Sequence, residues 1–302
     1  MIRVDIFYVD RKTGQKKKEV VAGGHIIEWI HDTAPGKTLL ELLIKRRLLS
    51  SLFGMFYNLS YSKRKIANFA KELEIDLREA EIESPNKYKN FNDFFARKLK
   101  EGARPVSGDP NHLISPADGR VLAYEDINIH QVIQVKGQEY SLEELFQSSE
   151  LARQFQGGIC VVVRLNPSDY HRFHFPDSGV PKQYQHIPGS YYSVNPMALK
   201  KIAKVYCQNK RELTEIQSDN FGKIVIVEVG ATCVGSIVQT YTPNEPVEKG
   251  QEKGYFMFGG STVILFIEPG FVQIDKDIVA NSLEFVETKV EMGERIGIKI
   301  RK

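Results

Sequence analysis

The chain has 302 residues, 42% of them apolar and 26% charged, which is enough for one large core or two modest ones and excludes a disordered or fibrous protein. The net charge of +3 is unevenly spread, because residues 37–71 hold eight Lys or Arg against the single acid Glu41, leaving the rest mildly acidic. A basic, apolar-rich segment on such a body points to an anionic partner surface, for which lipid and nucleic acid both qualify.

The first element in chain order is a β-hairpin, since residues 2–9 and 17–22 alternate around Asp10-Arg11-Lys12-Thr13-Gly14. Acids at Asp5 and Asp10 interrupt the N-terminus before an apolar run can form, so a secretory signal is not expected and the body is placed on the cytoplasmic side. From Lys37 the pattern turns helical, with Leu39, Leu40, Leu42, Leu43, Leu48, Leu49, Leu52, Phe53 and Phe56 at steps of three and four. Only fifteen uncharged residues separate Lys45-Arg46-Arg47 from Lys63-Arg64-Lys65, short of the roughly 20 apolar residues a bilayer span needs. This segment either packs on the protein's own core or lies in a headgroup layer with Tyr57 and Tyr61 near the boundary. Phe91, Phe94, Phe95 and Leu99 predict another short helix, capped by Asn90 or Asn92 and ended by Arg104-Pro105.

Beyond Pro105 apolar strands dominate, at Gly158–Leu165, Lys223–Val229 and Thr262–Ile267. One helix interrupts them, opened by the capping box Ser141-Leu142-Glu143-Glu144. The fold class expected is α+β, with N-terminal amphipathic helices, membrane-associating or packed on the core, followed by a β-rich catalytic domain. The domains expected are a hairpin extension at 1–36, a helical region at 37–104 and a β-rich region at 105–302. Cys160, Cys207 and Cys233 are odd in number, lack a CxxC pair and sit in apolar or mixed strands, so buried inert thiols are expected.

Three clusters could carry chemistry. Ser115-Pro116-Ala117-Asp118-Gly119 is a turn before a strand; Asp118 is either a turn residue or a carboxylate that orients an imidazole. Asp169-Tyr170-His171-Arg172-Phe173-His174-Phe175-Pro176 supplies two histidines three apart, suited to proton transfer; loop histidines or a metal pair are the alternatives, though no cysteine is near and Asp169 is the sole adjacent carboxylate. In Phe258-Gly259-Gly260-Ser261-Thr262 a hydroxyl follows two glycines, which either permit a positive-φ turn or leave the Gly260 carbonyl open to attack. No Lys follows the glycines as a phosphate loop requires.

Together these clusters resemble the phosphatidylserine decarboxylase family of pyruvoyl-dependent membrane enzymes. The resemblance rests on Phe91–Leu99 with Ala103-Arg104-Pro105, Ser115–Gly119, Tyr170–Pro176, Pro188-Gly189-Ser190 with Val194-Asn195-Pro196, Val234-Gly235-Ser236-Ile237, and Gly259–Thr262, all in the family's order. The hairpin lies outside it. One departure is Gly259, where the family usually has Leu in a Leu-Gly-Ser-Thr motif; the scissile Gly260-Ser261 pair is kept.

The resemblance implies self-cleavage at Gly260-Ser261, with His174, oriented by Asp118, activating the Ser261 hydroxyl, and no metal. Its products are a β chain of residues 1–260 and an α chain of 261–302 whose Ser261 has become a pyruvoyl group, the covalent pyruvate cofactor. That group would form a Schiff base with phosphatidylserine, release CO2 and yield phosphatidylethanolamine, with His171 protonating the carbanion. The resemblance also favours a surface-lying segment at Leu39–Tyr61 and a peripheral enzyme on the cytoplasmic face of an anionic membrane. The implied partners are phosphatidylserine and the two chains of one precursor, with homo-oligomers left open and nucleic acid excluded. The rival reading is a phosphocarrier or swinging-arm carrier domain on a β-sandwich barrel, which also has a Ser-Pro-Ala-Asp-Gly turn and a reactive histidine. A membrane scaffold without catalysis leaves Asp118, His171, His174 and Ser261 without a role.

Overall fold

Near-continuous apolar runs such as Ile-Cys-Val-Val-Val-Arg-Leu and Ser-Thr-Val-Ile-Leu-Phe-Ile form strands only where both faces are covered. That is the arrangement in the computed structural model, which describes residues 6–19, 33–39, 54–135, 137–231, 236–259 and 261–300. Among these, the first strands are β1 (Phe7–Asp10), β2 (Gln15–Lys18), β3 (His112–Ile114), β4 (Gly119–Tyr124), β5 (Val132–Val135), β6 (Gln138–Tyr140), β7 (Ile159–Leu165), β8 (Arg172–His174) and β9 (Gly179–Pro181). They continue as β10 (Gln185–Ile187), β11 (Arg211–Ser218), β12 (Gly222–Gly230), β13 (Ile237–Gln239), β14 (Glu252–Phe256), β15 (Ser261–Ile267), β16 (Val272–Ile274), β17 (Glu287–Val290) and β18 (Arg295–Lys299).

A large sheet runs β10-β11-β12-β15-β7-β4-β17-β1-β2, with β9 also on β11. Alternate residues of its central strands enter two different cores. Val161, Val163, Val263, Leu265, Ile224 and Ile226 face one, which is closed by Phe173 and Phe256 of the β13-β14-β8 sheet, by the β16-β18-β3 sheet and by Ile278 of helix Lys276–Leu283. Val162, Ile264, Phe266, Val225 and Val227 face the other, beneath helices Leu142–Phe146 and Val205–Gln208. Full burial of each such side chain contributes about 1.5–3 kcal/mol. The described structure is therefore mixed α and β, with sheets dominant, as the composition of strands predicted.

The hairpin is present with shorter strands, β1 and β2, and residues 2–5 and 20–22 of the expected span lie outside the described residues. It is not a free appendage, because β1 pairs in parallel with β17. Glu19, just after β2, binds Arg164 of β7 at 2.6 Å and also accepts from Asn166. Arg164 in turn holds Glu287 at 2.6 Å, so the hairpin is tied to the central strands by buried charge pairs.

A third cluster lies at the helical side. Helix Phe91–Phe95 is capped by Asn90, whose side chain accepts from the Asp93 N–H at 2.9 Å, and ends earlier than Leu99. Its phenylalanines pack with Ile66 and Ala70 of helix Ile66–Glu72 and with Tyr57 and Phe69. Of the expected amphipathic segment, residues 40–53 lie outside the described residues. The rest does two things at once: Tyr57 packs inward, while Met55, Leu59 and Tyr61 are 57%, 57% and 61% exposed. Among the described residues no helix is long and apolar enough to cross a membrane.

Cys160 is buried in β7, where burial pushes its thiol up to about 12. Cys207 corrects the strand expectation, since it sits in the single-turn helix Val205–Gln208, and Cys233 lies outside the described residues.

Candidate active site

Strand register brings the first two clusters to the third. Arg120 of β4 faces Arg164 of β7, which faces Thr262 of β15. Asp118 therefore enters the sheet at the end where Ser261 opens β15 opposite Leu165, the last residue of β7. The chain leaving β7 at that end runs through Asn166 to Tyr170, His171 and β8. Two strand spacings separate β4 from β15, roughly 10 Å. Gly119 is required for close approach and not for a positive φ: a Cβ there would lie 2.7 Å from the Arg164 carbonyl oxygen.

The segment after β7 is locked by its own polar groups. The Asp169 carboxylate accepts from the Asn166 N–H at 2.7 Å and from the Arg120 guanidinium. Its backbone carbonyl accepts from His171 Nδ1 at 2.9 Å. With Nδ1 donating, neutral His171 carries its lone pair on Nε2, which is buried and without a hydrogen-bond partner among the described residues. The Phe95 ring lies 3.9 Å from the imidazole centroid. Burial drives His171 down to about 3, against the opposing pull of Asp169.

His174 stands in a different setting. Its Nδ1 is 2.9 Å from the Gly250 carbonyl, which can only accept, so that nitrogen holds the proton and Nε2 accepts from the Tyr170 hydroxyl at 3.1 Å. Its backbone N–H donates to Pro116 at 2.7 Å, stitching β8 to the Asp118 turn. Burial lowers its pKa, opposed by the Gly250 carbonyl and by the charges of Glu252 and Asp118. The ring is a neutral base at neutral pH.

Ser261 is fully buried, and its Oγ has no hydrogen-bond partner among the described residues. An unpaired buried hydroxyl costs about 1–3 kcal/mol, so its retention at this sheet end calls for a chemical reason. Gly260 lies outside the described residues. Gly259 adopts φ +145°, a conformation that only glycine reaches readily, so this chain's departure from Leu goes with a backbone geometry a leucine would resist.

The expected Asp118–His174 hydrogen bond is not made. Arg104 takes both carboxylate oxygens instead, Nε to Oδ1 at 2.9 Å and Nη2 to Oδ2 at 2.7 Å, and the Met292 N–H donates to Oδ1 at 2.8 Å. A two-pronged guanidinium outcompetes a neutral imidazole N–H for a carboxylate. Burial still pushes the Asp118 carboxyl up, against Arg104 and Met292, while Arg104 is held protonated. Asp118 reaches His174 here only through its field, and neither residue hydrogen-bonds to Ser261.

The loop before Ser261 is gripped from the helical side. Phe258 donates its N–H to Asn92 Oδ1 at 3.0 Å, and Asn92 Nδ2 donates to Asn58 Oδ1 at 2.8 Å. The Phe258 ring sits among Tyr57, Phe91, Phe95 and Phe69, with centroids 4.5, 4.9, 5.1 and 5.9 Å away. Phe256 donates its N–H to the His171 carbonyl at 2.9 Å. The sequence marked Asn92 only as a candidate cap and Arg104 only as a helix end, and assigned no site role to Tyr170 or Phe258, though all four stand inside its motifs; nothing in the sequence marks the Gly250 carbonyl. The Val234-Gly235 part of the fifth motif lies outside the described residues. Among the described residues no group of three or more His, Cys, Asp or Glu could hold a metal ion.

The sequence pattern of the phosphatidylserine decarboxylase family matches residues 91–298, more than half of the chain. The chain belongs to that family. It is 50% identical over 291 residues to the phosphatidylserine decarboxylase proenzyme of Clostridium beijerinckii, covering 96% of this chain and 98% of the relative. It is 51% identical over 282 residues to the proenzyme of that name from Clostridium novyi, covering 93% and 95%. The corresponding Clostridium perfringens proenzyme is 50% identical over 290 residues, covering 96% and 98%. Phosphatidylserine decarboxylases are carboxy-lyases of phospholipid metabolism, and the carrier-domain alternative is not favoured. The family pattern leaves the hairpin outside its matched residues, whereas the alignment with the Clostridium beijerinckii proenzyme, over 291 of 302 residues, takes in part of it.

Proposed function

We propose that this chain is a phosphatidylserine decarboxylase proenzyme that cuts itself between Gly260 and Ser261 and then converts phosphatidylserine to phosphatidylethanolamine. One observation carries the reading beyond family membership: a single sheet end gathers Asp118, the His171–His174 segment and the orphaned hydroxyl of Ser261.

The His174 Nε2 lone pair takes the Ser261 hydroxyl proton, and Oγ attacks the Gly260 carbonyl carbon as the Ser261 nitrogen leaves, exchanging amide for ester. Loss of the Ser261 α-proton then expels the ester carboxylate as the new C-terminus of the β chain, residues 1–260. Hydrolysis consumes one water, releases ammonia and leaves a ketone at the head of the α chain, residues 261–302. Asp118 supplies the negative charge that stabilises the imidazolium; a direct hydrogen bond requires it to exchange Arg104 for His174. A pyruvoyl group fits residue 261, whose hydroxyl has no structural employment. When formed, it supplies an electron sink for the pair released with CO2.

His171 holds its proton on Nδ1, toward Asp169, so it must gain one on Nε2 before it can protonate the substrate carbanion. The substrate ammonium, which has to lose a proton to become nucleophilic, is the chemically matched source. Met55, Leu59 and Tyr61, beside Lys63, Arg64 and Lys65, support peripheral attachment to an anionic surface on the cytoplasmic face of the cell membrane.

A denaturing gel with intact mass, run beside flotation on phosphatidylserine liposomes, tests the proposal. Two chains, the smaller beginning at a blocked residue 261, together with lipid-dependent CO2 release are expected. A single full-length chain in active protein would end the pyruvoyl reading, and failure to float would end the membrane reading.

A further inference from the structure

Arg97 follows helix Phe91–Phe95 and is only 6% exposed. Its Nη2 donates to the backbone carbonyls of Ser168 at 3.0 Å and Asp169 at 3.1 Å. Its Nε and Nη1 are buried with no hydrogen-bond partner among the described residues. The two carboxylates whose charge reaches it are already paired, Asp118 with Arg104 and Asp169 with Arg120. A buried guanidinium with unused donors is costly to keep, and an arriving anion would satisfy it. The side chain lines a cavity of about 580 Å³ whose wall includes Arg104, Arg120, Asp118 and Tyr170. That volume suits a small ligand. The cavity connects to the proposed reaction centre through shared partners: Tyr170 in its wall binds His174, and Arg97 shares the Asp169 carbonyl with His171.

We infer that Arg97 is the residue that binds the phosphodiester of the substrate headgroup. The inference rests on the proposed decarboxylation, and the reaction itself selects between the two anions of phosphatidylserine. Decarboxylation moves negative charge off the carboxylate, so a cation paired with that group would stabilise the ground state more than the transition state. The phosphodiester keeps its charge throughout. A guanidinium paired with it binds both states equally, lowers KM and leaves kcat almost untouched.

The test uses full-length Arg97→Gln and Arg97→Lys in mixed micelles with short-chain phosphatidylserine, scored for self-cleavage on gels and for KM and kcat. Normal cleavage is expected, with KM raised about tenfold or more in Arg97→Gln, less in Arg97→Lys, and kcat within about threefold. Glycerophosphoethanolamine, a phosphodiester without a carboxylate, should inhibit the unsubstituted enzyme and lose that inhibition in Arg97→Gln; free serine should inhibit both alike. Unchanged KM in a fully cleaved variant, a fall in kcat alone, or selective loss of serine inhibition would each overturn the assignment. Calorimetry on the uncleaved Ser261→Ala protein, with and without Arg97→Lys, adds a readout independent of catalysis. Weaker binding of glycerophosphoethanolamine in the double variant supports the inference, whereas equal binding, or binding of inorganic phosphate only, defeats it. Failure of the unsubstituted chain to decarboxylate phosphatidylserine would defeat the functional reading instead.

Discussion

Residues 261–267 and residues 257–259 are neighbours in sequence but are held by different means. Every residue of β15 is paired to β12 on one side and β7 on the other. The loop before it relies on the Met257 N–H to Ser236, the Phe258 N–H to Asn92, and the aromatic cluster around the Phe258 ring. Ser261 is thus fixed by sheet register, whereas the chain leading to the proposed scissile carbonyl is fixed by one backbone bond to Ser236 and by side chains of the helical region. With the proposed cut at 260, the α-chain end is held in the sheet by two ladders, while the β-chain end is held by the Met257–Ser236 backbone bond and its side-chain anchors. The two histidines divide along the same line: His171 stacks on Phe95 of the aromatic cluster, and His174 is held by Gly250 and Tyr170.

The largest expected effect separates those histidines. His174→Ala should slow self-cleavage by about 10²–10⁴-fold, leaving mostly full-length chain on a gel time course. His171→Ala should cleave normally and lose decarboxylation. An uncleaved His171→Ala chain would move that residue into the processing machinery and erase the division.

Next comes acid stability. Folded His171 stays neutral down to about 3, against an ordinary value of 6.5. Below 6.5 the unfolded chain binds a proton that the folded chain refuses, so its stability contribution is complete above 6.5 and is lost as pH falls toward 3. Between pH 7 and 5 this amounts to about 2 kcal/mol. Urea unfolding of Ser261→Ala at both pH values should show that loss, and the added substitution His171→Gln should shrink it; an unchanged pH dependence would mean the imidazole is not buried as neutral.

The smallest effect probes the loop. Asn92→Ala removes the acceptor for the Phe258 N–H, a bond worth about 1 kcal/mol, and should slow cleavage five- to tenfold while leaving β15 intact. A normal cleavage rate would mean that the sheet alone positions the junction.

Much of this site was legible because its signals are local. Alternating or continuous apolar runs marked β7, β12 and β15 to within a residue or two, and the Ser141 cap accepts from the Glu144 N–H at 3.1 Å as the capping box predicts. The motif order also pointed to Asp118, His171, His174 and Ser261, and strand register brings the turn before β4 and the segment after β7 to the Ser261 end of the sheet.

Partner choice was another matter. Asp118 had a nearby imidazole to bind and takes Arg104 and the Met292 N–H instead. The described end of the amphipathic segment packs Tyr57 onto the aromatic cluster and leaves Met55, Leu59 and Tyr61 exposed, a split that its pattern did not indicate. From the sequence by itself came the strands, the caps and the candidate reactive groups, because backbone hydrogen bonding, apolar periodicity and motif spacing act over a few residues. Only the tertiary structure decided which charge meets which, that Phe258 is boxed by the helical region, that the hairpin joins β17, and that Arg97 is left with donors unused. Those outcomes depend on which distant groups are buried together, and burial makes each unmet charge or hydrogen bond expensive enough to override local preference.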